Sequence, residues 1–246
     1  MREEKEAEFW SYPLFRPCCL LLRACLGYTQ DSQFLGGMLM PTIAHRITKP
    51  SLYGPKDNGI LMTPEEFDDA EFKDGWRYEL INGVLIVTPI PLEKERDPNE
   101  ELGYWLRYYR DSRPQGRMFL VTLHEHTVQV GRNRRRADRV VWVNFNRVPA
   151  PDDAPTVIAE FVSRRRRDRK RDYEDKRDEY MAINVKEYWV IDRFKRTLTV
   201  FTKSRGRIRE RIIQENETYT TPLLPGFELS IAKLFVAADF WPEREG

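Results

Sequence analysis

Short apolar runs separated by polar turns recur along the chain from about residue 76 onward, and their period changes between that of strands and that of helices. RYELINGVLIV (77–87) reads as two strands joined by Asn82-Gly83, a dipeptide that accepts the positive φ of a tight hairpin turn. In DPNEELGYWLRYYRDSRPQG (97–116), Leu102, Leu106 and Tyr109 repeat at helical spacing; Asn99 is the candidate cap, Glu100 and Glu101 suit the positive end, and Pro114 and Gly116 stop the helix. MFLVTLHEHTVQV and RVVWVNF are β-rich, TVIAEFV is a fully apolar strand, DYEDKRDEYMAI is a helix, and EYWVIDRFKRTLTVFT forms a second hairpin. A strand near RIRERIIQ leads to a closing LLPGFELSIAKLF. Strands and helices alternate only in the middle. The pattern therefore predicts an α/β fold, a mixed β-sheet flanked by helices with N-terminal and C-terminal β-hairpins, and no internal repeat.

The N-terminal stretch departs from this pattern. CCLLLRACLGY is apolar but is interrupted by Arg23 and is too short to span a bilayer. MREEKEAE carries more acid than base, unlike the start of a secretory leader. Residues 1–58 accordingly read as a poorly ordered arm, with Met38 or Met40 as an alternative natural start, residues 59–236 as one domain, and 237–246 as a tail. The 246 residues suffice for one full core. Lys and Arg total 41 against 39 acids, so the net charge of +2 implies no strong long-range attraction to nucleic acid and any basic footprint must be local. Cys18, Cys19 and Cys25 form neither a disulfide framework nor a spaced zinc set, which fits a reducing, cytoplasmic setting without a membrane.

The carboxylates carry the candidate chemistry. Asp138 immediately precedes VVWV and Glu160 sits inside TVIAEFV, so both fall on central strands. Taking an unpaired carboxylate out of water costs several kcal/mol. Each therefore needs either a salt bridge to one of the many arginines or a hard cation such as Mg²⁺. In the following helix, Lys176 or Arg177 shares the inward face of Tyr173, Tyr180 and Met181. A lysine there either meets the carboxylates or snorkels to water. Glu79 lies on the first strand of the N-terminal hairpin. His124 and His126 alternate on one strand face, but two ligands do not make a metal site. Phosphate-binding glycine loops, nucleophilic triads and dinucleotide fingerprints are absent.

The succession YELINGV, RRADRVVWV, PTVIAEFVS, DYEDKRDEYMAINVKEYWVID and TPLLPGFEL, within residues 59–236, resembles the Uma-type putative restriction endonuclease family, a bacterial branch of the PD-(D/E)XK nuclease superfamily. The resemblance implies a restriction-endonuclease-like core and Mg²⁺-dependent phosphodiester hydrolysis, with Mn²⁺ able to substitute. Asp138 matches the first acid of the family motif, with Ala137 in place of proline; Glu160 matches the second acid and Glu79 the early one. Asp138 and Glu160 are then the implied metal ligands, with Glu79 assisting. Glu160 is followed by Phe161 and Val162, so the lysine expected two positions later is absent, and Lys176 is its substitute. Glu100 or Glu101 is a further candidate acid. The implied partner is nucleic acid, DNA in particular. A protein that binds without cutting is the alternative, and a homodimer stays open. Arg132, Arg134, Arg135 and Arg136, beside Asp138, are the candidate nucleic-acid contacts. Arg164 to Arg167, Arg169, Lys170 and Arg171 either neutralise phosphates or form a solvated helix start paired with the acids interleaved among them.

Overall fold

The computed structural model describes residues 52–112, 120–145, 147–163 and 170–242. Strand β1 (Leu52–Tyr53) pairs in parallel with β2 (Glu71–Phe72), and helix α1 (Pro64–Asp68) lies between them in sequence. Thr63 caps α1 by accepting from the Glu66 N–H, and Glu66 returns the bond to the Thr63 N–H. Strands β3 (Trp76–Ile81) and β4 (Val84–Pro89) form the N-terminal hairpin, turning at Asn82 (φ 51°) and Gly83 (φ 77°). Helix α2 (Glu93–Asp111) leads to the long hairpin β5 (Leu120–Val130) and β6 (Asn133–Val143). After β7 (Val157–Phe161), a π-helical segment (Arg171–Asp175) continues into α3 (Lys176–Ala182). Strands β8 (Glu187–Asp192), β9 (Thr197–Ser204) and β10 (Arg207–Gln214) form a meander. The ribbon β11 (Thr218–Thr221) and β12 (Leu224–Ser230) then precedes α4 (Ile231–Asp239).

Eight of these strands make one sheet in the order β10-β9-β8-β7-β6-β3-β4, with β5 paired to β6. The β7–β8 pair is parallel and the other pairs are antiparallel, so the sheet is mixed, as the sequence pattern predicts. Every residue of β7 is buried, the pattern of a central strand covered on both faces. On one face Leu102, Leu106, Leu234 and Phe235 of α2 and α4 pack against Val141, Ala159, Trp189 and Ile191. On the other, Tyr180 and Met181 of α3 meet Val140, Trp142, Ile158 and Val190. Each such side chain withdrawn from water contributes roughly 1.5–3 kcal/mol. Among the described residues no helix is long and apolar enough to cross a membrane.

Three boundaries differ from the sequence reading. Helix α2 begins at Glu93, and Glu95 caps its start by accepting from the Leu92 N–H (3.0 Å); Pro98 is accommodated inside it, and Asn99 is a buried interior residue instead of the cap. Residues 52–58, assigned to the arm for their Pro, Gly and Lys content, are folded: β1 has its ladder partner, and Asn58 accepts from the Val87 N–H (2.8 Å). At the other end α4 continues past 236 because Ala238 is buried, and Trp241 Nε1 donates to Asp97 (2.8 Å). Residues 1–51, which carry the rest of the expected arm, the alternative starts and the three cysteines, lie outside the described residues.

Candidate active site

Strand β6 changes neighbours along its length. On one edge it pairs with β7 at Arg139–Val141 and with β3 at Arg134, which leaves residues 135–138 between the two pairings. Opposite Asp138, Glu125 of β5 adopts a left-handed backbone (φ 50°). A non-glycine residue there costs on the order of 1–3 kcal/mol and recurs at functional sites. The backbone groups in this gap are bonded by side chains. The Arg136 N–H donates to Glu79 Oε1 (3.0 Å), while the Arg136 carbonyl accepts from Arg77 Nη2 (3.0 Å) and Lys176 Nζ (3.4 Å). The Asp138 carbonyl accepts from Asn99 Nδ2 (2.8 Å), and Asp138 Oδ2 accepts from the Phe161 N–H of β7 (2.7 Å). The candidate residues thus complete the ladder at the point where the strands part.

Lys176 Nζ lies 2.8 Å from Glu160 Oε1, 4.0 Å from Glu79 Oε1 and 3.9 Å from Asp172 Oδ1. At 1% exposure its ammonium does not snorkel to water; Glu160 (2%), Asp138 and Glu79 (both 5%) are buried with it. Of the two candidate cations on the helix, Arg177 points outward, paired with Asp178 (2.8 Å) and standing over the Phe201 ring. Tyr180, one turn after Lys176, donates its hydroxyl to Glu160 Oε1 (3.1 Å). Arg77 Nη2 lies 2.9 Å from Asp138 Oδ1 in an ion pair without hydrogen-bond alignment, so that buried oxygen has no hydrogen-bond donor. Asp172 sits in the π-helical segment, where such irregularities often accompany function, and the Tyr188 hydroxyl fixes its carbonyl (2.7 Å).

The carboxyls differ in their protonation. Burial pushes the Glu160 carboxyl up, and Asp138 and Asp172 add to this against the pull of Lys176. Burial also works against ionisation of Asp138, but Arg77, Lys176 and the Phe161 N–H together hold it below the ordinary aspartate value. Glu79 is likewise held low, by Lys176 first and then Arg171, Arg135 and Arg77, in spite of burial. Burial raises Asp172. One group of acids is thus disposed to hold a proton while another is held ionised.

The predicted basic patch is divided. Arg134 (7% exposed) pairs with Asp68 (2.6 Å) and Arg135 (2%) with Glu179 of α3 (2.6 Å). As successive strand residues they point to opposite faces, and both guanidinium charges are already matched. Arg136 is partly exposed and beside Glu125 (3.4 Å); Arg132, at the hairpin turn, is exposed. Residues 164–169 of the second basic run lie outside the described residues. His124 pairs with Glu100 (3.3 Å), whereas His126 packs on Trp142, because the left-handed Glu125 between them inverts the alternation. Their expected common face is therefore absent. Glu101 accepts from Trp105 Nε1 (2.6 Å) and is engaged elsewhere, whereas Glu100, 3.6 Å from Arg139, lines a cleft together with Arg77 and Glu125. Sequence reasoning missed Arg77, Asn99, Asp172 and Tyr180. Asp172 and Tyr180 carry a signal in hindsight, since each stands four positions from Lys176 on one helix face.

Asp138 and Glu160 are the residues that could hold a hard divalent cation. Asp138 offers a buried oxygen without a hydrogen-bond donor, and Glu160 is buried on the adjacent strand with Lys176 at 2.8 Å. Mg²⁺ or Mn²⁺ would accept two such carboxylates and complete its shell with water. Among the described residues no group of three or more His, Cys, Asp or Glu side chains has metal-holding geometry.

A mixed sheet flanked by helices, with buried acids where its central strands diverge, defines a restriction-endonuclease-like fold. The model of the Uma2 family, described as a putative restriction endonuclease, matches residues 64–232, and the chain belongs to that family. The crystal structure of a putative nuclease belonging to DUF820 from Anabaena variabilis is similar, with a TM-score of 0.59 and 18% identity over 72% of this chain and 99% of that one. At that identity the likeness is one of fold. No curated protein matches the chain.

Proposed function

We propose that the protein is an endonuclease that hydrolyses phosphodiester bonds of DNA, with Mg²⁺ or Mn²⁺ held by Asp138 and Glu160. The observation that supports this most is the buried Lys176 ammonium, which a separate helix delivers to within 2.8 Å of Glu160. Such a cation takes the place of the lysine missing two positions after Glu160. A divalent ion bound there would polarise the phosphate and help ionise a water molecule.

The residues themselves supply positioning and charge. In the reaction a water oxygen bonds to phosphorus while the bond from phosphorus to the leaving sugar oxygen breaks; the water loses a proton and the leaving oxygen gains one. Lys176 provides a fixed positive charge for the oxyanion that develops, without reorganisation at that moment. Glu79 orients it twice over, through the 4.0 Å ion pair and by holding the Arg136 backbone to which Lys176 also bonds. Tyr180 fixes the Glu160 rotamer.

Beside the acids opens a cleft of about 720 Å³, to which Arg77, Arg96, Arg136 and His124 contribute basic side chains and Glu93, Asp97, Glu100 and Glu125 acidic ones. Its arginines suit a phosphate backbone, and Arg132 and Arg136 remain the available basic contacts of the original patch. A cytoplasmic setting and a homodimer belong to the same reading.

The test is cleavage of supercoiled plasmid and of DNA and RNA oligonucleotides with Mg²⁺, Mn²⁺ or EDTA. Metal-dependent cutting of DNA supports the proposal; cutting of RNA alone changes the substrate. The ion pair by which Arg77 already neutralises Asp138 favours a second reading, a nucleic-acid-binding or interaction protein that retains the nuclease fold without turnover. Binding that is equal with EDTA and never followed by cleavage would establish that reading instead.

A further inference from the structure

Arg77 has no counterpart among the residues assigned so far, yet it occupies the entrance to the acids. It leaves β3 two residues before Glu79 and so points to the same side of the sheet. Its guanidinium makes three contacts. Nη2 lies 2.9 Å from Asp138 Oδ1 and donates to the Arg136 carbonyl (3.0 Å), and Nε lies 3.1 Å from Glu125 Oε2. Its side chain, 16% exposed, also lines the 720 Å³ cleft. Arg77 therefore stands between the cleft and the one Asp138 oxygen that lacks a hydrogen-bond donor.

Resting on the metal-site reading above, we infer that Arg77 is an exchangeable counter-ion, which neutralises Asp138 until a divalent cation displaces it and turns its guanidinium toward the cleft. Two features favour exchange over a fixed strut. The contact with Asp138 is misaligned, whereas the one with the Arg136 carbonyl is a directed hydrogen bond. The Glu125 contact involves Nε, nearer the backbone, so turning the rigid guanidinium about the side-chain bond before Nε carries Nη2 away from Asp138, and from the Arg136 carbonyl with it, while Nε stays close to Glu125. The charges lead to the same exchange. Glu79, Asp138, Glu160 and Asp172 are faced by Lys176, Arg77 and Arg171, the last paired with Asp172 (3.2 Å), and a divalent ion carries the charge that Arg77 contributes and one more, enough to let Glu160 ionise. A metal bonded to Asp138 and a guanidinium 2.9 Å from the same carboxylate would repel one another strongly in a buried site. Once displaced, Arg77 would face the anion that enters the cleft, a substrate phosphate, so that metal binding precedes productive substrate binding.

The experiment uses the full chain and Mn²⁺ alone. Calorimetric titration should show Arg77→Met binding Mn²⁺ at least about tenfold more tightly than the unaltered protein, because the competitor has gone. Equal or weaker binding would overturn the inference. Should Arg77→Met fail to fold, crystals of the unaltered protein soaked in Mn²⁺ decide the matter by anomalous scattering. The expected result is a Mn²⁺ peak at Asp138 and Glu160 with Arg77 moved beyond ion-pair distance of Asp138. A peak with Arg77 still in place would sink the exchange while leaving the metal site intact. No peak and no binding heat would sink the metal site and the exchange with it.

Discussion

Lys176 Nζ and Glu160 Oε1 lie 2.8 Å apart at the junction of a helix and the neighbouring central strand, with the Tyr180 hydroxyl on the same carboxylate oxygen. Lys176→Met retains the packed stem and deletes the charge. Cleavage should fall by a factor on the order of 10² to 10³, the scale of losing one preorganised stabiliser of transition-state charge. Mn²⁺ binding measured by calorimetry should persist or strengthen. Arg177→Met, altering an outward side chain, should leave cleavage within about twofold. Reversal of the two results would show that the helix phase is wrong in solution.

Divalent ions should raise the melting temperature. An ion at 100 times its Kd adds about 2.7 kcal/mol, or roughly 5–10 °C for a domain of this size. Asp138→Asn combined with Glu160→Gln should abolish that rise. It should also destabilise the metal-free protein, because Arg77 and Lys176 would remain buried without their carboxylates; breaking one such pair typically costs about 3–5 kcal/mol. A metal response that survives in the double variant would place the ion elsewhere.

The raised Glu160 carboxyl makes stability depend on pH with a defined sign. Between its unfolded value near 4.5 and its higher folded value, the folded protein keeps a proton that the unfolded chain has released. Stability of the metal-free protein should therefore fall as pH rises from about 5 toward neutrality, by about 1.4 kcal/mol for each unit separating the two values. Glu95, which burial raises to about 7, and Asp172 and Glu125, which burial also raises, add slopes of the same sign, so the share that depends on Glu160 is the difference between the unaltered protein and Glu160→Gln. Mg²⁺ affinity should climb over the same range, since the ligand must shed its proton. Denaturant melts at stepped pH measure both; parallel slopes in the two proteins would refute the assignment.

Gly103 packs against a buried guanidinium. A Cβ added there would lie 2.6 Å from the Arg139 guanidinium, which is fully buried and held by Asn99 Oδ1 (2.6 Å) and Thr122 (3.2 Å). Alanine gains about 1 kcal/mol in helix propensity, but an overpacked core loses about 1–3 kcal/mol. With Arg139 pinned, the loss should win. Gly103→Ala should lower the denaturation midpoint and also reduce activity, because Asn99 bonds the Asp138 carbonyl as well. An unchanged or higher midpoint would show that Arg139 can move aside freely.

Much of the framework is legible locally. Asn82-Gly83 marks its hairpin because few other dipeptides tolerate positive φ, and VIAEF marks a central strand because the residues on both sides of Glu160 within it are all apolar. A carboxylate in such a strand announces a partner, since burial without one is too costly. The identity of that partner was a tertiary matter. Residues 176 and 177 are about 100° apart on a helix, and the preceding π-helical segment, with its wider turn, shifts the phase that a 3.6-residue period would carry forward from Tyr173. Four clustered arginines read alike in sequence, but Asp68 and Glu179, brought in from α1 and α3, engage two of them. His124 and His126 part because the one residue between them turns left-handed opposite Asp138. Spacing encodes which face a side chain takes while the backbone stays regular. The site forms where β6 leaves one neighbour for another and that regularity stops, so its contacts are set by strands and helices distant in the chain.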